Sequence, residues 1–129
     1  KYLIIHLVSV DRNENAEVLE MVRQYWEQFG IKTAVDILPV NRIQSEVIIP
    51  RNFDALFYGQ IIGADPDPYP FWHSSQTGER GYNIANYADK GVDKILEDAR
   101  LNSDRGERQK LYWQFQDIIA EEVPALFLY

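Results

Sequence analysis

Residues 14–39 read ENAEVLEMVRQYWEQFGIKTAVDILP and decide the fold, because they hold a helix, a helix stop and a strand in succession. Apolar side chains recur at spacings of three and four, the pattern of one helical face, in a helix predicted to end at about Phe29. These side chains are Val18, Met21, Val22, Tyr25 and Phe29. Gly30 stands where helices commonly end in the left-handed conformation. Residues 31–38 partly alternate apolar and polar side chains, which predicts a strand closed by Pro39.

Two further strands are predicted, one before and one after residues 14–39. Residues 2–10, YLIIHLVSV, are apolar and rich in branched side chains, which is typical of a strand covered on both faces. A short helix is predicted within residues 40–50, and a third strand over 53–58. The order strand, helix, strand, short helix, strand indicates an α/β layer with at least some parallel pairing and right-handed connections.

The last third of the chain predicts two helices and a closing strand. The helices cover about residues 91–101 and, after Ser103 and Asp104, a stretch that reaches about Glu122 before Pro124. Residues 125–129, ALFLY, predict a strand. We therefore expect an α/β fold with a mixed sheet of about four strands packed by helices, forming a single domain over residues 1–129.

Residues 59–91 break the periodic pattern and are rich in proline, glycine and aromatic side chains. A loop of this length is uncommon in a compact domain unless it is functional or disordered. Disorder is disfavoured because it would leave several large rings in water. These rings belong to Tyr69, Phe71, Trp72, Tyr82 and Tyr87. An ordered functional loop is the prediction.

Charge and composition exclude several classes of function. The formal net charge of −7 repels phosphate backbones, so nucleic acid is not expected as a partner. No apolar run approaches the roughly 20 residues that a membrane span needs. The absence of cysteine excludes disulfides and thiolate chemistry, and the two histidines lack metal-ligand spacing. Because the chain starts and stops on apolar strands, we expect it to be a piece of a longer protein.

Six segments form an ordered series along nearly the whole chain. They are Phe29–Thr33, Phe53–Gly59, Asp65–Ser75, Gly81–Tyr87, Val92–Arg100, and Arg108–Tyr112 taken with Glu122–Leu126. In this order they resemble the peptide-type family of extracellular solute-binding proteins that serve ATP-driven importers. The resemblance is carried by the series, since each segment alone is a weak signal.

The resemblance implies a function and a location. In that family two α/β lobes close around a ligand at a hinge, and this chain would be most of the lobe nearer the C-terminus. The complete protein would capture an oligopeptide, a dipeptide or a related small solute outside the cytoplasmic membrane, in the periplasm or as a cell-surface lipoprotein. Its partners would be the ligand and the permease subunits of the importer. Neither a cofactor nor a catalytic step is implied.

The candidate ligand-binding residues all lie in the long loop. They are Gly63, Asp65, Asp67, Trp72 and Asn83. Ligands of open α/β sheets settle beyond the carboxyl ends of strands, and the loop leaves one such end. By counting, Gly63 takes the place at which well-known peptide binders of the family carry an aspartate for the ligand's amino group.

Each of these side chains also has a structural interpretation. Asp65 and Asp67 fit turn chemistry as well as a contact with a ligand amine. Trp72 fits ring stacking on a ligand or core packing, and Asn83 fits a ligand contact or a turn. Two other functions stay open: a hydrolase that uses Asp65 or Asp67 as its catalytic carboxylate, and a protein-interaction module.

Overall fold

The computed structural model describes residues 3–12, 14–64 and 66–128. The chain divides into two compact units, Lys1–Ile61 and Ile62–Tyr129. The single domain expected from the sequence stays a prediction. Among the described residues, none of the helices combines the length and the apolar character that crossing a bilayer requires.

The first unit is a small parallel sheet with helices. Its elements are β1 (Ile4–Val10), α1 (Asn15–Gln28), β2 (Lys32–Leu38), α2 (Val40–Ile43) continued by a π-helical turn (Gln44–Ile48), and β3 (Ala55–Phe57). The strand order is β2-β1-β3, and β1 pairs in parallel with both neighbours. Gly30 has a φ of 82°, so the predicted left-handed helix stop is confirmed.

The central strand β1 supplies much of this unit's buried surface. Leu7, Val8 and Val10 are buried there, and Leu19 of α1 is fully buried. Ser9 is a buried polar exception: its hydroxyl donates to the Phe57 carbonyl at 2.8 Å and accepts from the Asn15 amide at 2.9 Å. One serine thus ties β1 to β3 and to the start of α1.

The second unit is built on a pair of helices. Its elements are α3 (Tyr69–Trp72), a 3₁₀ turn (Ser74–Gln76), α4 (Lys90–Leu101) and α5 (Arg105–Glu122). The buried core between α4 and α5 consists of Val92, Leu96, Phe115 and Ile119. Both long helices begin at aspartates, because Asp89 accepts the Val92 N–H and Asp104 accepts the Glu107 N–H.

The α/β class is confirmed, but two sequence-based expectations about the sheet are wrong. The described residues contain three strands rather than about four, and all their pairings are parallel. Residues 125–128 form no strand, and Tyr129 lies outside the described residues. An apolar run becomes a strand only where a neighbour completes its hydrogen-bond ladder. Here Leu126 and Phe127 are instead 75% and 73% exposed.

The apolar face of α1 is also rotated from the predicted one. Of the predicted stripe, two valines are half-buried and three residues are exposed: Val18 and Val22, and Met21, Tyr25 and Phe29. Leu19, outside the stripe, is fully buried, and Trp26 is half-buried. Leu19 and Trp26 lie beside the predicted stripe, so apolar spacing alone does not fix which side of a broad apolar face is buried.

Candidate ligand-binding segment

Residues 62–87, called the aromatic loop from here on, are anchored on the α4–α5 pair. Tyr69, Trp72 and Tyr87 pack against the buried cluster between these helices. The Trp72 ring lies 6.1 Å from the rings of Tyr87, Phe115 and Phe127, measured between centroids. The loop is therefore ordered by its own aromatic side chains. Trp72 is half-buried, so it packs into the core and keeps part of its surface in solvent.

Asp67 uses its carboxylate to organise the loop. One oxygen accepts the Tyr69 backbone N–H at 3.1 Å, which is the short-range pattern of an Asx turn. The other accepts the Nε and Nη2 groups of Arg100 at 2.8 and 2.5 Å. The hydrogen bond to Asp67 raises the pKa of the Arg100 guanidinium. The turn expected at Asp67 is thus present, together with an ion pair that local sequence does not reveal.

The Tyr69 ring joins this ion pair to a buried histidine. The central carbon of the Arg100 guanidinium lies 3.8 Å from the Tyr69 ring centroid, a cation–π contact. The His73 ring stacks on Tyr69 with centroids 4.1 Å apart and planes 20° apart. A guanidinium, a phenol ring and an imidazole therefore form one contiguous group.

His73 is buried and its ring is held at both nitrogens. Nδ1 accepts the Ser75 backbone N–H at 3.0 Å, so this nitrogen carries a lone pair and the ring proton sits on Nε2. Nε2 faces Glu97 at 3.3 Å and Asp93 at 3.8 Å. Asp93 also accepts both the backbone N–H and the hydroxyl of Ser74, at 2.8 and 2.5 Å.

The Ser75 hydroxyl lies 2.8 Å from His73 Nδ1, so serine, histidine and Glu97 share the groups of a hydrolytic triad. Their arrangement serves a different purpose. The Nδ1 lone pair that would take the hydroxyl proton already receives a backbone N–H from the same residue. The ring thus caps the 3₁₀ turn, and the three side chains fix the loop onto α4.

Asn83 is fully buried and holds the far end of the loop. Its Nδ2 group donates to the carbonyls of His73 at 3.2 Å and Tyr87 at 2.8 Å, and its Oδ1 accepts the Tyr87 N–H at 3.1 Å. The Asn83 backbone N–H donates to the Gln76 carbonyl at 3.1 Å. These bonds bring residues 73–76 and 83–87 together.

The two remaining predicted residues lie at the start of the loop. Gly63 is exposed, with open space where a side chain would extend. Asp65 lies outside the described residues. The structure brings Asp67, Trp72 and Asn83 into one loop on one helix pair, and whether any of these residues contacts a ligand stays a prediction.

Sequence reasoning missed a depression of about 480 Å³ on the same loop. It is lined by Ser75, Gln76, Gly78, Glu79, Arg80 and Gly81. Gly81 shapes one wall, because a β-carbon there would lie 1.8 Å from the Gln76 carbonyl oxygen. Two glycines three residues apart are a weak signal of this close approach.

Sequence comparisons point to one group of proteins, although no protein-family model matches the chain. The chain is 32% identical over 114 residues to the oligopeptide-binding protein AppA of Bacillus subtilis, which covers 88% of this chain and 21% of AppA. It is 32% identical over 117 residues to di/tripeptide-binding protein 1 of Pseudomonas aeruginosa, which covers 87% of this chain and 21% of that protein.

A solved structure agrees with the sequence matches. The B. subtilis AppA structure in complex with a nonapeptide superposes with a TM-score of 0.84 at 28% identity, covering 96% of this chain and 25% of that one. The chain thus spans about a fifth of the length of the curated relatives it matches. Its sequence and its fold agree over the same span, and the chain is homologous to one part of oligopeptide- and di/tripeptide-binding proteins.

Proposed function

We propose that the complete protein captures a peptide or a related small solute outside the cytoplasmic membrane and delivers it unchanged to a membrane importer. One observation carries the proposal: nearly the whole chain matches AppA in sequence and in fold, and AppA is an oligopeptide-binding protein solved with a nonapeptide. The fold match covers 96% of this chain, and the proposal assigns ligand contact to the aromatic loop, where all the candidate ligand-binding residues lie.

The proposed ligand wall is the aromatic loop. Gly63 and the neighbouring exposed backbone would lie close to the guest, and Asp65 would supply negative charge for an amine. Asp67, whose carboxylate is bonded to Tyr69 and Arg100, would hold the wall in shape. Trp72 would offer the exposed part of its ring for stacking. Asn83 would act by holding the wall in shape, since its carboxamide is bonded to the backbone of His73 and Tyr87.

Hinge closure is the proposed mechanism. This wall and a second lobe would close around the ligand, and the importer would recognise the closed form. A wall that is ordered before the ligand arrives loses less conformational entropy on binding. The aromatic packing and the buried hydrogen bonds of the loop favour such preorganisation. No bond in the ligand is made or broken.

Native mass spectrometry of the complete protein, purified without denaturant, tests this proposal. A pooled library of tripeptides and nonapeptides is added, and bound members are identified by mass. We expect one peptide per protein, recovered intact after release. Cleaved library members would indicate the hydrolase, and a protein complex formed without any small ligand would indicate an interaction module.

Two tryptophan variants then locate the site. Trp72→Phe should weaken binding of the selected peptide about tenfold, because a smaller ring offers less stacking surface. Trp113→Phe is the matched control, since Trp113 is exposed on α5. Equal binding by both variants would remove Trp72 from the proposed wall.

A further inference from the structure

We infer that Arg100 is a positioning residue for ligand capture, which holds the aromatic loop in its binding shape through Asp67 and Tyr69. The inference rests on the proposed function and assigns a role to a side chain outside the candidate ligand set. Arg100 lies in the last turn of α4 and reaches a residue 33 positions earlier in the chain.

The contacts of Arg100 form a closed cycle. Its guanidinium binds Oδ2 of Asp67 with two N–H groups and lies over the Tyr69 ring. Oδ1 of Asp67 accepts the Tyr69 backbone N–H. Two parallel donors and a planar face are properties of arginine that lysine lacks. The cycle therefore fixes both the position of Asp67 and the direction in which α3 begins.

This ion pair acts on loop shape more than on overall stability. The side chains of Arg100 and Asp67 are 44% and 32% exposed, and ion pairs in such surroundings add little to the free energy of unfolding. Pro66 and Pro68 flank Asp67 and already restrict the local backbone. The position of residues 66–68 relative to α4 is then fixed by the contact between Arg100 and Asp67. Residues 73–75 are held on α4 by separate contacts.

A neighbouring ion pair provides a matched control. Lys94 and Asp98 also lie on α4, at 3.0 Å, but they belong to one helix and are 73% and 45% exposed. Removing the Lys94 charge changes the net charge by the same amount as removing the Arg100 charge. It leaves the contact between loop and helix intact.

The test uses the complete protein and the peptide selected from the pooled library. Dissociation constants and dissociation rates are measured for Arg100→Gln, Arg100→Lys, Asp67→Asn, the double variant Asp67→Asn/Arg100→Gln and Lys94→Gln. Thermal unfolding is measured on the same samples. Amide hydrogen exchange of residues 66–77 reports loop order without any ligand.

We expect Arg100→Gln to weaken binding about tenfold through faster dissociation, with faster exchange over residues 66–77 and little change in Tm. Arg100→Lys should fall between Arg100→Gln and the parent, and Lys94→Gln should stay within about twofold. The double variant should bind no more weakly than Arg100→Gln alone, because both changes break one cycle.

Three outcomes would overturn the inference, and they can be told apart. Unchanged binding and exchange in Arg100→Gln would show that the loop holds its shape without Arg100. Additive losses in the double variant would mean that Asp67 meets the ligand independently. If the parent protein binds no member of the library, the proposed function fails first and the role of Arg100 fails with it. Should Arg100→Gln not fold, Asp67→Asn keeps the oxygen that caps Tyr69 and gives the same readout.

Discussion

Asn83 and the backbone of Tyr87 bind each other in both directions: the Tyr87 N–H donates to Oδ1 at 3.1 Å, and Nδ2 donates to the Tyr87 carbonyl at 2.8 Å. The remaining Nδ2 hydrogen bond reaches His73 at 3.2 Å. A single buried carboxamide therefore closes the loop that precedes α4.

Asn83→Ala should destabilise this loop by about 1–3 kcal/mol, because buried backbone groups of His73 and Tyr87 lose their partner. Hydrogen exchange over residues 73–87 of the complete protein measures the effect. Gln116→Ala, at an exposed position on α5, is the control and should leave this exchange unchanged. Equal protection in the parent and in Asn83→Ala would mean that the aromatic packing alone orders the loop.

The surroundings of the Tyr87 hydroxyl predict that the folded protein loses stability at alkaline pH. Burial, followed by the 2.6 Å hydrogen bond to Glu122, raises the pKa of the Tyr87 hydroxyl above its ordinary value of 10.0. The contribution is fully present below pH 10.0, where the phenol is neutral in both states. Above that pH the unfolded chain releases the proton while the folded one keeps it, so the free energy of unfolding falls.

The free energy of unfolding, measured in urea at about pH 8 and about pH 11, tests this loss, since the two pH values lie on either side of an ordinary tyrosine pKa. Tyr87→Phe should show a smaller drop between the two pH values than the parent protein does. Tyr25→Phe, on the exposed side of α1, controls for the loss of one phenol. An identical drop in the parent and in Tyr87→Phe would assign the alkaline loss to other groups.

Gly81 and Gly78 provide a matched pair of positions for testing the close backbone approach in the loop. A β-carbon at Gly81 would lie 1.8 Å from the Gln76 carbonyl oxygen, whereas nothing lies within 4 Å of one at Gly78. Gly81→Ala should cost about 1–3 kcal/mol because backbone must move, and Gly78→Ala should be close to neutral. Thermal unfolding of the two variants tests the difference, and similar Tm values would contradict the close approach.

Val123 ends α5 in the left-handed region, with φ 48° and ψ 49°. A branched side chain is strained there, and the residue is 50% exposed, so little packing is lost on its removal. Val123→Gly should raise the free energy of unfolding by about 1 kcal/mol. Val123→Ala is the control, since alanine keeps the β-carbon and should gain less. A lower Tm for the glycine variant would reveal packing by the valine side chain.

Local chemistry explains why the helix boundaries could be predicted. Gly30 ends α1 and Pro124 follows α5, because the backbone preference of each residue acts on its immediate neighbours. The face of α1 could not be predicted in the same way. Leu19 and Met21 are both apolar, and only the packed sheet decides which of them is buried.

The candidate site shows the same division between local and distant information. Asp67 in a proline-rich stretch predicted a turn, and its carboxylate does accept the Tyr69 N–H. Arg100 could not be paired with Asp67 from sequence, since 33 residues separate them and no periodicity connects the two. The sequence singles out Asn83 for its amide, but its burial depends on the fold of residues 73–87.

The central position of β1 has a consequence for synthesis of the chain on the ribosome. β1 precedes both of its neighbours in the sequence, so it leaves the ribosome with the backbone hydrogen-bonding groups of both edges unpaired. These groups are paired only after residues 32–38 and then residues 55–57 have been synthesised. Parallel strands cannot be joined by a tight hairpin, so the long connections between them lengthen the time for which the edges of β1 are unpaired. A nascent apolar strand with open edges is a target for chaperones and for aggregation. Translation speed between β1 and β3 therefore sets how long that hazard lasts.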